Sequence, residues 1–281
     1  MIQLGSTGNS FTFIRRLGDF LNSNDGVIGQ YGNRIESAEE FFAIRNSRLK
    51  RMAQDDDLHK DALALQVAAM KHGHSYQQLW CGVPVIRLPD DIQMLSELIW
   101  KVRPGCVIET GVARGGGLLL SASLMEIAGV QPLVLGIDIQ ILPHTEVALK
   151  NSRYFSAIHT IERSSVEPEI INELRSLMNQ VPSQAPAILI LDSDHSYKHV
   201  LAELELLAPE LPIGSYIMVA DTIIEELPED HFSDRPWGPG NGPKTAADEF
   251  LRRHRNFEAA EEWCRRALLS EFRDGVLRKT S

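Results

Sequence analysis

The sequence is poor in cysteine and has no long apolar run. Its 281 residues include three cysteines, Cys81, Cys106 and Cys264, which form no Cys-x-x-Cys pair and no disulfide framework. This spacing favours a reducing compartment, so we expect a cytoplasmic protein. No window reaches the ~18 apolar residues of a membrane span, so we expect no membrane-spanning helix. The first five residues lack the basic and apolar regions of a secretory signal.

Positive charge is also scarce. The chain has 28 Lys+Arg against 38 Asp+Glu, a formal net charge of −10. Nucleic-acid binding depends on clustered Lys and Arg, so this balance argues against a nucleic-acid partner. The composition, 43% hydrophobic and 23% charged, excludes wholesale disorder. We expect one large domain with a small appendage.

Residues 1–75 carry no pattern of a central strand. Apolar residues from Phe11 to Leu21 predict one short amphipathic helix. The capping-box spacing Ser37-Ala38-Glu39-Glu40 predicts a helix through about Met52. A second predicted helix runs from about Asp57 to Lys71. We therefore expect residues 1–75 to form a helical N-terminal extension, a lid or an oligomerisation arm, and the protein to be a homo-oligomer.

Residues 76–281 alternate apolar strand segments with amphipathic helices. The strand segments are Cys106–Thr110, Leu133–Ile139, Ile158–Ile161, Ala187–Leu191 and Tyr216–Ala220. Such alternation predicts a doubly wound parallel sheet. An antiparallel hairpin, Ala267–Leu269 with Gly275–Arg278, is expected to end it, as in methyltransferases. The predicted fold is therefore α/β and Rossmann-like, a class I methyltransferase with a mostly parallel seven-stranded sheet.

Four of the five predicted strands end in an acid. These acids are Glu109, Asp138, Asp192 and Asp221. Ligands of open parallel sheets bind beyond the carboxyl ends of the strands. A carboxylate at the end of an apolar strand is partly desolvated and needs a compensating partner. Four such acids at one sheet edge therefore indicate a binding site.

A glycine-rich turn follows the first of these strands. Its Gly-x-x-x-Gly-Gly spacing differs from both the dinucleotide fingerprint G-x-G-x-x-G and the Walker loop. Asp138, at the end of the second strand, is placed to hold a ribose diol. Because this turn need not neutralise a pyrophosphate, the pattern favours S-adenosylmethionine over NAD. The glycine-rich turn alone also fits a tight corner between a strand and a helix. Ser165 is placed where adenine usually lies in this fold, but it also fits the N-cap of a helix. The predicted cofactor-binding residues are Glu109, Gly111, Gly115, Asp138 and Ser165.

Several motifs resemble the cephalosporin hydroxylase family from about residue 76 onward. They are Val107-Ile108-Glu109-Thr110-Gly111, Gly136-Ile137-Asp138-Ile139 with Pro143-His144, Leu191-Asp192-Ser193-Asp194-His195, Asp221-Thr222, Arg235-Pro236-Trp237-Gly238-Pro239-Gly240-Asn241 and Pro243-Lys244-Thr245-Ala246. That family has the fold of S-adenosylmethionine-dependent O-methyltransferases and includes rhamnosyl O-methyltransferases. The resemblance implies bound S-adenosylmethionine and a divalent metal, and it does not fix the acceptor.

Asp192 and Asp221 end neighbouring strands, where hard oxygen ligands suit Mg²⁺. The pattern also resembles catechol-type O-methyltransferases, whose third metal ligand follows the last of these acids. Thr222 has that position here, and Asp194 is a possible substitute. Both strand-end aspartates could instead cap helices. His195, three positions after Asp192, is placed to deprotonate an acceptor hydroxyl, or it is a structural residue at a helix start.

We therefore expect a Mg²⁺-dependent O-methyltransferase that uses S-adenosylmethionine on a hydroxylated small molecule, a sugar or a natural product. One alternative is an NAD(P)-binding Rossmann-type oxidoreductase, which the missing G-x-G-x-x-G argues against. Another is a non-catalytic small-molecule binding protein of this fold, which the four acids argue against. Iron-dependent hydroxylation needs two histidines and a carboxylate. His59-Lys60-Asp61 and His144-Thr145-Glu146, the latter expected in a loop, have no distal histidine, so we reject it.

Overall fold

The computed structural model describes residues 37–182, 184–229 and 231–281. The boundary between two units of the chain falls between Arg48 and Leu49. Within the described residues, no helix is both long and apolar enough to cross a membrane.

The capping box forms as predicted and begins helix α1, Ala38–Ala53. The backbone N–H of Glu40 donates to Ser37 Oγ, and that of Ser37 donates to Glu40 Oε2, both at 3.1 Å. This reciprocal pair satisfies two of the amides that a helix start leaves unpaired. The helix expected between Phe11 and Leu21 lies outside the described residues.

The remaining elements alternate along the chain. The helices are α2 (Asp56–Met70), α3 (Pro89–Val102), α4 (Gly116–Ile127), α5 (Pro143–Lys150), α6 (Ile170–Met178), α7 (Tyr197–Leu207) and α8 (Pro243–Arg253). The strands are β1 (Leu79–Trp80), β2 (Val83–Pro84), β3 (Cys106–Thr110), β4 (Val134–Asp138), β5 (Ile158–Glu162), β6 (Ala187–Leu191), β7 (Tyr216–Val219), β8 (Phe257–Ala259) and β9 (Val276–Lys279).

The main sheet has seven strands in the order β5-β4-β3-β6-β7-β9-β8, which confirms the predicted fold class. Strands β3 to β7 are parallel, and β9 runs antiparallel to both β7 and β8. The strand order reverses between β3 and β6. This reversal makes a topological switch point, the usual ligand position of an open α/β sheet.

Helices cover both faces of the sheet. Val107 lies in the apolar cluster formed with α3 and α4, whereas its neighbour Ile108 lies in the cluster formed with α6, α7 and α8. This alternation follows from the two-residue period of a strand. Strand β6 is apolar and buried at every position, as expected of a central parallel strand.

The predicted hairpin at the end of the sheet is wrong in one strand. Strand β9 pairs with Phe257–Ala259, and not with Ala267–Leu269. The backbone amides of Leu268 and Leu269 donate to Asp90 Oδ2, and the amide of Ser270 donates to Gln66 Oε1. Because side chains of α2 and α3 accept these bonds, two of the three amides of Ala267–Leu269 are engaged away from a sheet ladder.

Helix α5 was also not predicted, because His144 was expected in a loop. Pro143 occupies the first turn of this helix, where a missing backbone N–H costs nothing. The helix follows β4 after a short loop and places Thr145 against the glycine-rich turn: Thr145 Oγ1 donates to the carbonyl of Ala113 at 2.7 Å.

Candidate active site

Three side chains converge beyond the carboxyl ends of β6 and β7. Asp192 follows β6, Asp221 follows β7, and His195 lies in the loop between β6 and α7. One ligand atom from each lies within 4.8 Å of the others, and all three residues are half-buried. This spacing allows one cation to contact all three residues.

The two aspartates repel each other. Burial raises the pKa of Asp192 well above its ordinary value, and the nearby charge of Asp221 raises it further, while Arg87 opposes the shift. Asp221 also has a φ of +55°, an uncommon conformation for a residue with a side chain. A divalent cation would relieve the repulsion between the carboxylates, so the donor set fits Mg²⁺.

Thr222, the third predicted metal ligand, makes a contact within the protein. Thr222 is buried, and its Oγ1 donates to the backbone carbonyl of Glu271 at 3.2 Å. Asp194, the suggested substitute, accepts the backbone N–H of Ser196 at 2.8 Å. His195, and not Asp194, joins Asp192 and Asp221 in the three-residue group, and a metal contact of Thr222 stays a prediction.

His195 is held between an acid and an aromatic ring. Its Nδ1 lies 3.4 Å from Asp221 Oδ2. Its ring meets that of Trp237 edge to face, with centroids 5.1 Å apart. Trp237 belongs to the Trp-Gly-Pro-Gly-Asn run that carries the family resemblance, so this motif borders the candidate site.

The glycine-rich turn brings β3 against the end of β6. Gly111 has a φ of +85°, and a Cβ atom there would overlap the carbonyl oxygen of Asp192. Gly115, with a φ of +83°, precedes α4 and lies against Thr145. Glycine is therefore required at position 111 both for the turn and for its contact with the loop that carries Asp192.

Asp138 shapes this turn. Its Oδ2 accepts the backbone N–H of Val112 at 2.8 Å and that of Ala113 at 3.3 Å. Its Oδ1 accepts the N–H of Gln140 at 3.1 Å. The carboxylate thus lies at the predicted edge of the sheet and organises the turn, and its contact with a ribose stays a prediction.

Glu109 forms a buried ion pair that the sequence did not indicate. Its Oε1 accepts from Arg87 Nη2 at 2.9 Å, and the side chains are 5% and 2% exposed. Burial raises the pKa of Glu109, and Arg87 partly opposes this shift. Both residues line a pocket together with Asp192 and the glycine-rich turn. The only sequence signal for Arg87 is a single charge within the apolar run Val83–Leu88.

Ser165 belongs to a chain of polar contacts. Its Oγ lies 3.2 Å from His199 Nε2, which lies 3.1 Å from Ser193 Oγ. Ser193 donates to the fully buried Glu203 at 2.7 Å. This chain connects the loop after β5 with the loop that carries Asp192, and a contact of Ser165 with adenine stays a prediction.

Two further acids lie near the aspartates and were not predicted. Burial raises the pKa of Glu271 well above its ordinary value, and the charges of Asp221 and Asp91 add to the shift. Asp91, in the first turn of α3, is fully buried and accepts bonds from the Ser270 hydroxyl and the Glu271 amide. The site is therefore strongly acidic, with Arg87 as a buried counter-charge.

The family model of rhamnosyl O-methyltransferase/CmcI matches residues 72–280 of the chain. This match confirms the resemblance to the cephalosporin hydroxylase family. The chain is 35% identical over 149 residues to a rhamnosyl O-methyltransferase of Mycobacterium leprae (strain TN), covering 53% of this chain and 62% of the relative. It is 33% identical over 165 residues to a rhamnosyl O-methyltransferase of Mycobacterium bovis (strain BCG / Pasteur 1173P2), covering 58% and 61%. The alignments thus span less than two thirds of these relatives.

The fold is similar to that of CmcI. An apo structure of CmcI superposes with a TM-score of 0.52 at 21% identity, covering 73% of this chain and 77% of that one. At this identity the similarity concerns the fold.

Proposed function

The chain belongs to the rhamnosyl O-methyltransferase/CmcI family, and we propose that it methylates a hydroxyl of a small molecule, using S-adenosylmethionine and a divalent metal. The observation that carries the proposal is the convergence of Asp192, Asp221 and His195 beside a pocket lined by the glycine-rich turn. A methyl acceptor, a cation and a cofactor would all be adjacent there.

Residues of the pocket and of the strand ends and loops around it would hold the cofactor. The glycine-rich turn with Gly111 and Gly115 lets the backbone approach a ligand closely, and Asp138, at the carboxyl end of β4, would accept from the ribose diol. Glu109 lines the pocket beside the turn. Ser165 lies in the loop after β5, near the expected adenine position.

Asp192 and Asp221 would hold the metal, for which we propose Mg²⁺. Their carboxylate oxygens are hard donors of the kind that Mg²⁺ prefers. His195 lies beside them, so its ring would face an acceptor hydroxyl bound next to the metal. When bound there, S-adenosylmethionine would supply the methyl group for the acceptor oxygen, and Mg²⁺ would supply positive charge that stabilises the deprotonated acceptor.

His195 would accept the proton of the acceptor hydroxyl. The nearby Asp221 carboxylate favours a proton on Nδ1, which leaves the lone pair of Nε2 free to act as a base. Trp237 restricts the ring from the other side. Positioning of the reactants by these elements would supply much of the rate enhancement.

The names of the curated relatives support a sugar hydroxyl as the acceptor. We also propose that the protein is a cytoplasmic homo-oligomer whose residues 1–75 form a lid or an oligomerisation arm. The described cysteines, Cys81, Cys106 and Cys264, are free thiols, which supports a reducing compartment.

Metal binding by the two aspartates can be tested without an acceptor. Saturating Mg²⁺ stabilises a folded protein that binds it, so it should raise the melting temperature of the wild type. Asp192→Asn and Asp221→Asn should abolish this increase. Asp194→Asn, which changes an acid of the same loop that is engaged with Ser196, is the matched control and should keep it. An equal Mg²⁺ response in all four proteins would place the metal elsewhere.

A further inference from the structure

We infer that Arg87 and Glu109 together bind the α-amino acid end of the cofactor, Arg87 its carboxylate and Glu109 its ammonium group. This inference rests on the proposed function and deepens it. It assigns a ligand contact to Arg87, which the sequence did not identify.

The first observation is a pair of incomplete hydrogen-bonding groups. Among the described residues, Arg87 Nη1 and Glu109 Oε2 are buried side-chain atoms without a hydrogen-bond partner. The other nitrogen and the other oxygen of these groups bond to each other at 2.9 Å. Buried polar atoms in folded proteins are nearly always paired, since an unpaired one keeps the full cost of its desolvation. A spare donor and a spare acceptor therefore remain side by side.

The second observation is their location. Both residues line the pocket bordered by the glycine-rich turn and by Asp192. The absence of a side chain at Gly117 is required here, because a Cβ atom would overlap Glu109 Oε1. The pair thus lies where a bound cofactor would extend from the turn towards the metal site.

The third observation is charge. Burial lowers the pKa of Arg87, but the carboxylates of Glu109, Asp192, Asp91 and Glu271 outweigh it, so the pKa is raised and the guanidinium stays charged. Arg87 is thus a buried cation among four acids, two of which, Glu109 and Asp192, line the pocket with it. The ammonium and sulfonium groups of the cofactor fit these acids, and its single carboxylate fits the buried guanidinium of Arg87.

The chemistry of an α-amino acid matches both spare groups. A guanidinium donates to a carboxylate in a fixed planar geometry, and such charge-assisted bonds are among the strongest in proteins. The carboxylate of Glu109 accepts from an ammonium group on its free oxygen. The alternative is that Arg87 only neutralises the buried acids. Its removal would then destabilise the fold, and the protein would still distinguish a ligand with the carboxylate from one without it.

The experiment compares two ligands by titration calorimetry. S-adenosylhomocysteine carries the full amino acid, and its decarboxylated analogue lacks only the carboxylate. Wild-type protein should bind the analogue about 10- to 100-fold more weakly. In Arg87→Gln this penalty should shrink to about threefold or less, because the partner of the carboxylate is gone. Arg87→Lys keeps the positive charge but lacks the planar guanidinium, so it should reduce the loss of affinity for the decarboxylated ligand by about fivefold. This variant provides the test if Arg87→Gln does not fold.

Arg114 provides a matched control, since it lines the same pocket while its Nη1 lies 2.8 Å from His144 Nε2. Arg114→Gln should keep the full penalty for the decarboxylated ligand. An unchanged penalty in a folded Arg87 variant, or equal binding of both ligands by the wild type, overturns the inference and leaves the proposed function standing. Failure of the wild type to bind S-adenosylhomocysteine would overturn both.

Discussion

The Nδ1 atom of His195 lies 3.4 Å from Oδ2 of Asp221, across the gap between the ends of two adjacent parallel strands. The carboxylate therefore restrains the imidazole, as the acid of a catalytic triad restrains its histidine. The same carboxylate belongs to the group that could hold a cation. The position of the proposed base is thus tied to that of the proposed metal.

Replacement of His195 separates a base from a metal ligand. His195→Ala should lower the turnover rate by about 10²- to 10⁴-fold, the usual contribution of a positioned base. Its activity should shift towards higher pH, where the acceptor hydroxyl ionises without help. Mg²⁺ affinity, measured by calorimetry, should stay within about threefold of the wild type. A large loss of Mg²⁺ affinity would instead make His195 a ligand, and an unchanged pH–rate profile would make it a structural residue.

Gly111 and Gly214 form a matched pair for the role of the turn. Both have a φ of +85°, but a Cβ would overlap the Asp192 carbonyl only at Gly111, whereas nothing lies within 4 Å at Gly214. Gly214→Ala should cost about 1–2 kcal/mol, the ordinary cost of a left-handed conformation. Gly111→Ala should cost clearly more in denaturant unfolding and should also weaken cofactor binding. Equal costs would mean that the contact with Asp192 is unimportant.

Asp91 should make stability fall as the pH rises. Burial raises its pKa to about 7 from an ordinary 3.8, although bonds from Glu271 and Ser270 and the charge of Arg87 oppose the shift. Between these values the folded state holds a proton that the unfolded state has lost, so the free energy of unfolding decreases with pH over this range. Asp91→Asn cannot ionise and should have a shallower decrease between about pH 4 and pH 7 in urea unfolding. An identical slope in the variant would assign the dependence to other groups.

Asp138 can be tested for its two roles separately. Asp138→Asn keeps an oxygen that can accept the amides of Val112 and Ala113, and Asp138→Ala removes it. If Asp138 also holds the ribose, both variants should bind S-adenosylhomocysteine about 10- to 100-fold more weakly, with Asp138→Ala also losing stability. Wild-type affinity in Asp138→Asn would restrict the residue to organising the turn.

The central sheet could be predicted because its strands are short apolar runs that end in acids. Strands β3 and β6 coincide with the predicted segments Cys106–Thr110 and Ala187–Leu191. The antiparallel edge of the sheet was harder to predict, since the apolar segment Ala267–Leu269 fits a strand as well as the observed Phe257–Ala259 does. Its exclusion depends on the side chain of Asp90, which is far away in sequence and accepts the backbone amides of Leu268 and Leu269.

The candidate site could likewise be predicted where it depends on strand ends, and not where it depends on contacts between distant segments. Asp192, Asp221 and His195 come together because the residues that follow adjacent parallel strands share one edge of the sheet. The roles of Thr222 and Arg87 depend on tertiary contacts. The Thr222 hydroxyl is engaged with Glu271 from the distant C-terminal segment, and Arg87 meets Glu109 from a loop before α3.

The central claim is that this fold binds S-adenosylmethionine and not a nicotinamide dinucleotide. It is tested most directly by calorimetric titration of the full chain, in the presence of Mg²⁺, with S-adenosylhomocysteine and separately with NAD. The account predicts saturable binding of S-adenosylhomocysteine at one site per chain and no measurable binding of NAD. Saturable binding of NAD without binding of S-adenosylhomocysteine would contradict it.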